Sequence, residues 1–316
     1  MVTARKDDFN VTNTIMVHTA CGVEPLASGI IYTHEHVWLD IRTETDCGAV
    51  INDIDSVVEE LRHLRQKGLG ALIELSCRGM GRDVRRFADI QLRSGVQIIP
   101  ATGYYYQRFH PAFLGGADVD TIVNSLIEDL ETGMDDTGVT PMILGEIGGS
   151  NPLTPQETRV FRAVAKVARV FPVVVMTHAH LGQSGLEELD VLVRQGVHPS
   201  RIAIGHMDLA DNFEHVKEIA QRGAYVGMDT IGKEGYAPDH RRRDTILRLI
   251  EMGYGDQLLL SCDISRNAYL SRNGGHGYSH LLDRFVPSLR EAGLCIGQIN
   301  HLLSENPRRF LHQAMS

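Results

Sequence analysis

Residues 30–40 have the sequence IIYTHEHVWLD, in which an apolar run leads into His34 and His36 with Glu35 between them. Successive side chains of an extended strand point to opposite faces, so the two histidines would share one face and Glu35 would occupy the other. Two imidazoles on one face can bind one metal ion, or they can simply be two polar residues at a strand end. The rest of the sequence has to distinguish these alternatives.

The same plan, an apolar run followed by a helical pattern, recurs along the chain. Continuous apolar strands indicate burial on both faces, as in a parallel sheet covered by helices. The strand-like runs are 30–36, 71–76, 96–102, 142–147, 173–178, 202–207, 224–229 and 257–263. The helical patterns are near 54–67, 82–94, 118–132, 155–170, 185–196, 212–222, 240–252 and 278–293. Eight such units predict an α/β protein with a closed (β/α)8 TIM barrel.

Two segments lie outside this count. Residues 12–25 precede the first unit and have the pattern of a short hairpin, and a final helix is predicted near 297–312. The sequence contains no linker and no low-complexity segment between the units. We therefore predict one domain over residues 1–316.

Composition restricts the possible partners. The 316 residues include 43% hydrophobic and 22% charged residues, and the formal net charge is −9. An acidic protein is a poor match for nucleic acid, and no apolar run reaches the ~18 residues that a membrane span needs. The first residues lack the apolar core of a signal peptide, and the five cysteines show no C-x-x-C spacing. These features predict a cytoplasmic protein that binds a small molecule, without nucleic acid, membrane or a thiolate zinc site.

Residues with metal-binding or proton-transfer chemistry stand near the ends of most predicted strands. They are His34 and His36, Glu146, His178, His206, Asp229 and Asp263. In a barrel the carboxyl ends of the strands form one rim, where active sites are built. Imidazoles and carboxylates together suit Zn²⁺, Mn²⁺, Co²⁺ or Fe²⁺. The four imidazoles with two of the carboxylates make six ligands, which exceed the needs of one tetrahedral zinc but fit two ions, and two ions suit hydrolysis.

Several motifs, in their order and spacing, resemble the phosphotriesterase family of the amidohydrolase superfamily over nearly the whole chain. The similarity is greatest to the branch of phosphotriesterase homology proteins and phosphorylated sugar lactonases. The motifs are THEH on the first strand, GEIG on the fourth, THAH on the fifth, IGHMDLADN on the sixth, LLLSCDISR on the eighth, and ENPRRF near the C-terminus.

The resemblance implies a dinuclear centre, with zinc favoured over manganese, cobalt or iron. It implies a buried ion held by His34, His36 and Asp263, and a more exposed ion held by His178 and His206. Glu146 would bridge the two ions in place of the carboxylated lysine of the founding enzymes. A bridging hydroxide would then attack the carbonyl, with Asp263 as general base.

Some residues near these strand ends have competing interpretations. His180 lies on the same predicted strand face as His178, and the family pattern favours His178 as the ligand. Asp229 is interpreted as a structural or substrate-binding carboxylate. Thr230 follows it where triester-cleaving members carry a histidine, which argues against efficient triester hydrolysis. The run Arg241–Arg243 opens a helix and has the pattern of a solvated face.

The resemblance also implies a substrate class. Lys233, Arg266 and Tyr269 match the residues that bind phosphate in relatives that hydrolyse phosphorylated sugar lactones, and an ammonium, a guanidinium and a phenol form a reasonable cradle for a dianion. Tyr104 and Tyr105 are predicted to line the site as well.

The function indicated first is therefore a metal-dependent lactonase for a phosphorylated sugar lactone. A phosphoesterase (including a phosphotriesterase) or an amidase on the same site is the alternative among enzymes. A ligand-binding protein on a barrel that has lost its activity is the alternative outside enzymes, although such a loss should erase ligands that are all present here. Relatives often form dimers, so a homodimer is one oligomeric state that the resemblance allows.

Overall fold

A computed structural model describes residues 14–315. The strands are β1 (Met16–Thr19), β2 (Gly22–Pro25), β3 (Ile30–Glu35), β4 (Leu39–Asp40), β5 (Val50–Ile51), β6 (Leu69–Glu74), β7 (Gln97–Pro100), β8 (Ile143–Gly149), β9 (Val174–Ala179), β10 (Ile202–Gly205), β11 (Tyr225–Met228) and β12 (Leu258–Leu260). The α-helices are α1 (Ile54–Gln66), α2 (Val84–Ser94), α3 (Val119–Glu131), α4 (Pro155–Ala168), α5 (Gly185–Arg194), α6 (Phe213–Gln221), α7 (Asp239–Glu251), α8 (Val286–Glu291), α9 (Ile296–Asn300) and α10 (Asn306–His312).

Eight of these strands form the predicted barrel. Parallel pairing joins β3, β6 and β7 into one sheet and β8 through β12 into another. The two sheets meet where Thr102 bridges to Leu144, and again where the Asp263 N–H donates to the His34 carbonyl at 3.2 Å. The α/β barrel fold predicted from the alternating pattern is confirmed.

Local sequence explains where the covering helices begin and end. At α4, the side chain of Thr154 and that of Glu157 cap each other's backbone, and Pro155 occupies the first turn. At α2, Asp83 accepts hydrogen bonds from two backbone amides, and Gly95 ends the helix with a φ of 74°. Each device satisfies backbone groups that the helix itself leaves unpaired.

Apolar residues from the barrel strands, from the hairpin that precedes them and from the C-terminal helix α10 form a common cluster. The antiparallel hairpin of β1 and β2 supplies Val17, and α10 supplies Phe310 and Leu311, all of them buried. The predicted hairpin at 12–25 is therefore confirmed over Met16–Pro25, whereas residues 12 and 13 lie outside the described part of the chain. The predicted C-terminal helix is also present, as α9 and α10 joined by a π-helical turn over His301–Glu305.

The strand register brings the carboxyl ends to one level. Glu35 pairs with Glu74, and His178 pairs with both Gly148 and Gly205. The polar residues that end these strands therefore meet at one rim. The sequence pattern did not predict the small antiparallel pair of β4 and β5, which forms a hairpin directly after the first barrel strand.

Within residues 14–315, no helix combines the length and the apolar character that crossing a bilayer requires. The single-domain organisation over residues 1–316 stays a prediction.

Glu188 on α5 provides a test of the packing beneath the rim. Burial raises its pKa to about 8, although the hydroxyl of Ser184 donates to its Oε1 at 2.8 Å. Between pH ~4.5 and ~8 the folded state then keeps a proton that the unfolded state has released, so the free energy of unfolding falls as pH rises, by up to roughly 1.4 kcal/mol per pH unit. We expect Glu188→Gln to remove this part of the pH dependence in urea unfolding at pH 5 and pH 8. Glu187→Gln, at the exposed neighbouring position, should keep the wild-type slope.

Candidate active site

Glu146, in the middle of β8, lies at the centre of a cluster of imidazoles. One carboxylate oxygen, Oε2, is 3.3 Å from His34 Nε2, 3.2 Å from His178 Nδ1 and 3.9 Å from His206 Nε2. The other oxygen, Oε1, is 3.6 Å from His36 Nε2. A single carboxylate thus faces all four histidines that the strand-end pattern identified.

Asp263 completes this cluster from the end of the eighth barrel strand. Its Oδ1 lies 3.2 Å from His36 Nε2 and 4.0 Å from His34 Nε2. Its Oδ2 accepts a hydrogen bond from the ammonium of Lys233. The six residues predicted as metal ligands are therefore all brought together at the rim.

Asp229 orients two of these imidazoles from behind. Its Oδ2 is 2.9 Å from His34 Nδ1, and its Oδ1 is 2.8 Å from His206 Nδ1. With Nδ1 on Asp229, both rings turn Nε2 toward the cluster, where that of His34 lies 3.3 Å from Glu146 Oε2 and that of His206 lies 2.7 Å from His178 Nδ1. The contacts of Asp229 are with these two histidines, and its interpretation as a structural or substrate-binding carboxylate stays a prediction.

A chain of hydrogen bonds through Ser76 to the carboxyl group of Glu74 supports His36. Its Nδ1 lies 2.9 Å from the hydroxyl oxygen of Ser76, and that hydroxyl donates to Glu74 Oε1 at 2.7 Å. The ring is thereby held with Nε2 toward Asp263 and Glu146. Burial raises the pKa of Glu74 to about 8, although its hydrogen bonds with Ser76 and Val37 act to lower it.

Glu35 lies on the opposite face of β3 from the histidines, as the strand alternation predicted. Its carboxylate accepts hydrogen bonds from the backbone amide of Cys262 at 2.8 Å and from that of Ile264 at 2.9 Å. These amides flank Asp263, whose φ of 48° lies in the left-handed region that is costly for residues other than glycine. Glu35 therefore clamps the backbone that presents Asp263 to the rim.

The electrostatics of the cluster favour ionised carboxylates. Burial acts to raise the pKa of Glu146, but the imidazoles of His34 and His178 hold it well below its ordinary value. Burial likewise opposes ionisation of Asp263, yet the Lys233 ammonium and the histidines keep its pKa low. For His178, burial and the neighbouring charge of His206 lower the pKa to about 4. Burial acts to lower the pKa of His34 and that of His206, but the neighbouring carboxylates, above all Asp229, raise both. The cluster thus places anionic oxygens beside imidazoles, and a divalent cation would replace the protons on the ring nitrogens that it binds.

Two overlapping groups in the cluster have donor atoms close enough to hold an ion. Within each group the donor atoms lie within 4.8 Å of one another. The groups are His34, Glu146 and His206, and His34, His36 and Asp263. His34 Nε2, which belongs to both, is buried and has no hydrogen-bond partner in the structure. This nitrogen lies 3.3 Å from Glu146 Oε2 without a well-directed hydrogen bond, and a cation held between imidazole and carboxylate would satisfy both, so these residues fit a metal centre.

A cavity of about 380 Å³ opens above the cluster. Lys233, Arg266 and Arg108 all lie on its wall, and Arg108 is exposed. Sequence reasoning missed Arg108, which follows the three tyrosines at 104–106 and carries no motif. The guanidinium of Arg266 makes two hydrogen bonds to Asp46, at 2.7 and 2.5 Å.

The tyrosine predictions need correction. Tyr104 was predicted to line the site, and this is wrong, because its side chain is fully buried and its hydroxyl lies 2.7 Å from that of Ser125. Tyr105 does line the cavity, with its hydroxyl 3.3 Å from His178 Nε2. Tyr269 lies behind Lys233, whose Nζ is 5.4 Å from the centre of the tyrosine ring. A direct contact of Tyr269 with substrate stays a prediction.

His180 lies at the cavity mouth, exposed, with its ring 6.4 Å from that of Tyr106. Of the two histidines on β9 and the turn that follows it, the structure therefore brings His178 to the cluster, as the family pattern favoured.

The prediction of a solvated face for Arg241–Arg243 is wrong at Arg242, which is 0% exposed. Its Nε donates to Asp208 Oδ2 at 2.7 Å and its Nη2 to the hydroxyl of Thr230 at 2.8 Å. Its Nη2 also donates to the Lys233 carbonyl at 3.3 Å. The residue that replaces the histidine of triester-cleaving relatives is thus held by a buried arginine, which also holds the loop that carries Lys233.

The sequence and the fold identify the relatives of this chain. A sequence model of the phosphotriesterase family matches residues 15–311. The chain belongs to the phosphotriesterase family. Membership makes the chain a metal-dependent hydrolase, in agreement with the hydrolase names of several relatives.

Three proteins with a similar sequence or fold illustrate the likeness. The phosphotriesterase homology protein of Escherichia coli is 33% identical over 287 residues, which cover 90% of this chain and 98% of that protein. Its crystal structure, with phosphate in the active site, has a TM-score of 0.88 and covers 90% of this chain and 99% of that one. N-acetyltaurine hydrolase of Bos taurus is 31% identical, covering 82% of this chain and 78% of that protein. A lactonase of Listeria monocytogenes, 23% identical with a TM-score of 0.88, covers 94% of this chain and 99% of that one and shares the fold.

Proposed function

We propose that this chain is a dinuclear metal-dependent lactonase that hydrolyses a phosphorylated sugar lactone in the cytoplasm. The observation that carries the proposal is the position of Lys233 and Arg266 on the wall of the same cavity as the histidine and carboxylate cluster. A hydrolytic centre and two cations in one cavity match a substrate that has both a carbonyl and a phosphoryl group.

The six clustered residues would hold the metal ions. We propose that His34, His36 and Asp263 hold one ion, that His178 and His206 hold the other, and that Glu146 bridges them. A donor set dominated by imidazole suits zinc, which is the metal we propose. When bound, two such ions lower the pKa of a water molecule and polarise a carbonyl oxygen.

Asp263 is the proposed general base. Its carboxylate would accept a proton as water adds to the lactone carbonyl carbon, and the ring C–O bond then breaks to give a hydroxy acid. The Lys233 ammonium on its Oδ2 and the clamp from Glu35 hold this carboxylate in place. Asp229 and Ser76 keep the imidazoles in one tautomer during the reaction.

The phosphoryl subsite is proposed near Arg266. The phosphate in the active site of the Escherichia coli relative supports an affinity for such groups in this part of the family. The direct test compares a sugar lactone 5-phosphate with the same lactone lacking phosphate. We expect kcat/KM to be larger for the phosphorylated substrate, and equal values for the two would contradict the proposed substrate.

Arg266→Met tests the subsite itself. A charge-assisted hydrogen bond contributes ~1.5–3 kcal/mol, so its loss should lower kcat/KM for the phosphorylated lactone about ten- to a hundredfold. The variant also leaves Asp46 without its counterion, which adds repulsion against a phosphoryl group. The unphosphorylated lactone should lose much less, and the metal content should be that of wild type. Equal losses on both substrates would mean that Arg266 supports the site generally.

An amidase acting on an N-acyl substrate is the second candidate. The observation that favours it is the 31% identity with the bovine protein named N-acetyltaurine hydrolase. The same cluster could serve either bond, because both reactions add water to a carbonyl carbon. Turnover of N-acetyltaurine by the purified zinc-loaded enzyme, with a kcat/KM above that of the phosphorylated lactone, would favour this candidate.

A further inference from the structure

Lys233 and Arg266, two cationic side chains on the cavity wall, differ in how exposed their ion pairs are. Lys233 is 6% exposed at its side chain and is bonded to the buried Asp263 and to the hydroxyl of Ser265. Arg266 is bonded to Asp46, and these side chains are 27% and 41% exposed. Lys233 is thus paired with a buried residue of the proposed hydrolytic centre, whereas the carboxylate of Asp46, which pairs with Arg266, faces solvent.

Asp46 reaches Arg266 from a separate part of the barrel. It lies on the loop between β4 and β5, and the two residues are 220 positions apart in the chain. Its backbone is held by the pairing with Thr43, in which each residue donates its N–H to the carbonyl of the other at 3.1 Å. The backbone of Asp46 is therefore held in place, and its carboxylate contacts both Nη atoms of Arg266.

An anionic group that uses Arg266 must compete with this carboxylate. The two oxygens of Asp46 occupy both outer nitrogens of the guanidinium, the positions that would otherwise bind a phosphoryl group in a bidentate manner. Ion pairs exposed to this degree are weakly stabilising, so a phosphoryl dianion can displace the carboxylate. Asp46 can turn toward water, because it is the more exposed partner.

We propose that Asp46 is a displaceable counterion of Arg266 and lowers the affinity of the site for anionic groups. In the free enzyme it keeps Arg266 at the cavity wall without leaving an unpaired cation there. When an anionic substrate or product leaves, Asp46 takes its place on the guanidinium. The inference rests on the proposed function, since it assumes that Arg266 belongs to the subsite for the phosphoryl group.

The test is titration calorimetry of methyl phosphate into the zinc-loaded enzyme and its Asp46→Asn variant. Asparagine keeps the size of the side chain but removes the competing charge, so we expect methyl phosphate to bind the variant about tenfold more tightly. Asp40→Asn is the matched control: Asp40 makes a similar two-point pair with Arg42 at 2.9 and 2.6 Å in the same hairpin, and neither residue lines the cavity. Its affinity should remain within about twofold of wild type, as expected for loss of an exposed pair outside the cavity wall.

The sign of the change decides the inference. Weaker binding in Asp46→Asn would mean that Asp46 is needed to hold Arg266 in place, and unchanged binding would mean that the anion does not use Arg266. Either result overturns the counterion role. The proposed substrate is tested separately by the wild-type preference for a phosphorylated lactone, so that preference can survive when the role of Asp46 fails.

Discussion

Glu146→Gln is expected to lose bound metal and hydrolytic activity together. Wild-type enzyme purified without chelator should carry close to two divalent ions per chain, because five further donor residues cluster with Glu146. An amide in its place bears no charge and offers only one oxygen. Two-metal catalysis contributes several kcal/mol, so kcat/KM should fall about a thousandfold, in step with the metal content from elemental analysis.

The bicarbonate dependence provides the control for this result. A carboxylated lysine would restore a bridging carboxylate, so Glu146→Lys should recover part of its metal in bicarbonate. Wild-type reconstitution should be independent of bicarbonate, since glutamate supplies the carboxylate directly. A wild-type enzyme that requires bicarbonate, or that binds no metal after incubation with Zn²⁺ or Mn²⁺, would rule out Glu146 as the bridge.

Asp263→Asn should separate activity from metal binding. Asparagine keeps one side-chain oxygen that can face His36, but it cannot accept a proton. General base catalysis contributes ~10²–10⁴-fold, so kcat should fall by about that factor. The metal content should fall by less than in Glu146→Gln, and the two quantities would be measured on the same preparations.

The comparison of the two variants gives the decisive outcome. If Asp263→Asn with its metal restored keeps kcat within about tenfold of wild type, less than a general base contributes, then another group takes the proton. If the variant loses metal during purification, its kcat is measured at saturating Zn²⁺, so that variant and wild type are compared with the site occupied.

Much of the fold and the site follows from local sequence. Apolar runs followed by helical patterns predicted the barrel, since a parallel strand buried on both faces needs a covering helix. Parallel strands also align their carboxyl ends, so residues as distant as His34 and Asp263 could be placed on one rim before any contact was known. The alternation along β3 further placed Glu35 away from the two histidines.

The remaining features depend on contacts between distant segments. A run of three arginines does not reveal which one is buried. Arg242 is the buried one because it pairs with Asp208, which lies in another loop. Three successive tyrosines follow β7 where the regular alternation has ended, so the sequence did not separate Tyr104 from Tyr105. The pairing of Asp46 with Arg266 joins loops at opposite ends of the chain, and no local pattern encodes it.

The hydrogen bonds that Glu35 accepts also determine at which stage of synthesis and folding the site can form. Glu35 and Ile264 are 229 residues apart, and their hydrogen bond closes the first barrel strand onto the last. A growing polypeptide presents His34 and His36 early, but Asp263 reaches them only after nearly all of the barrel has been synthesised. Binding of an ion by His34, His36 and Asp263 would therefore follow closure of the barrel. An occupied site would indicate a chain in which the first and last barrel strands have paired.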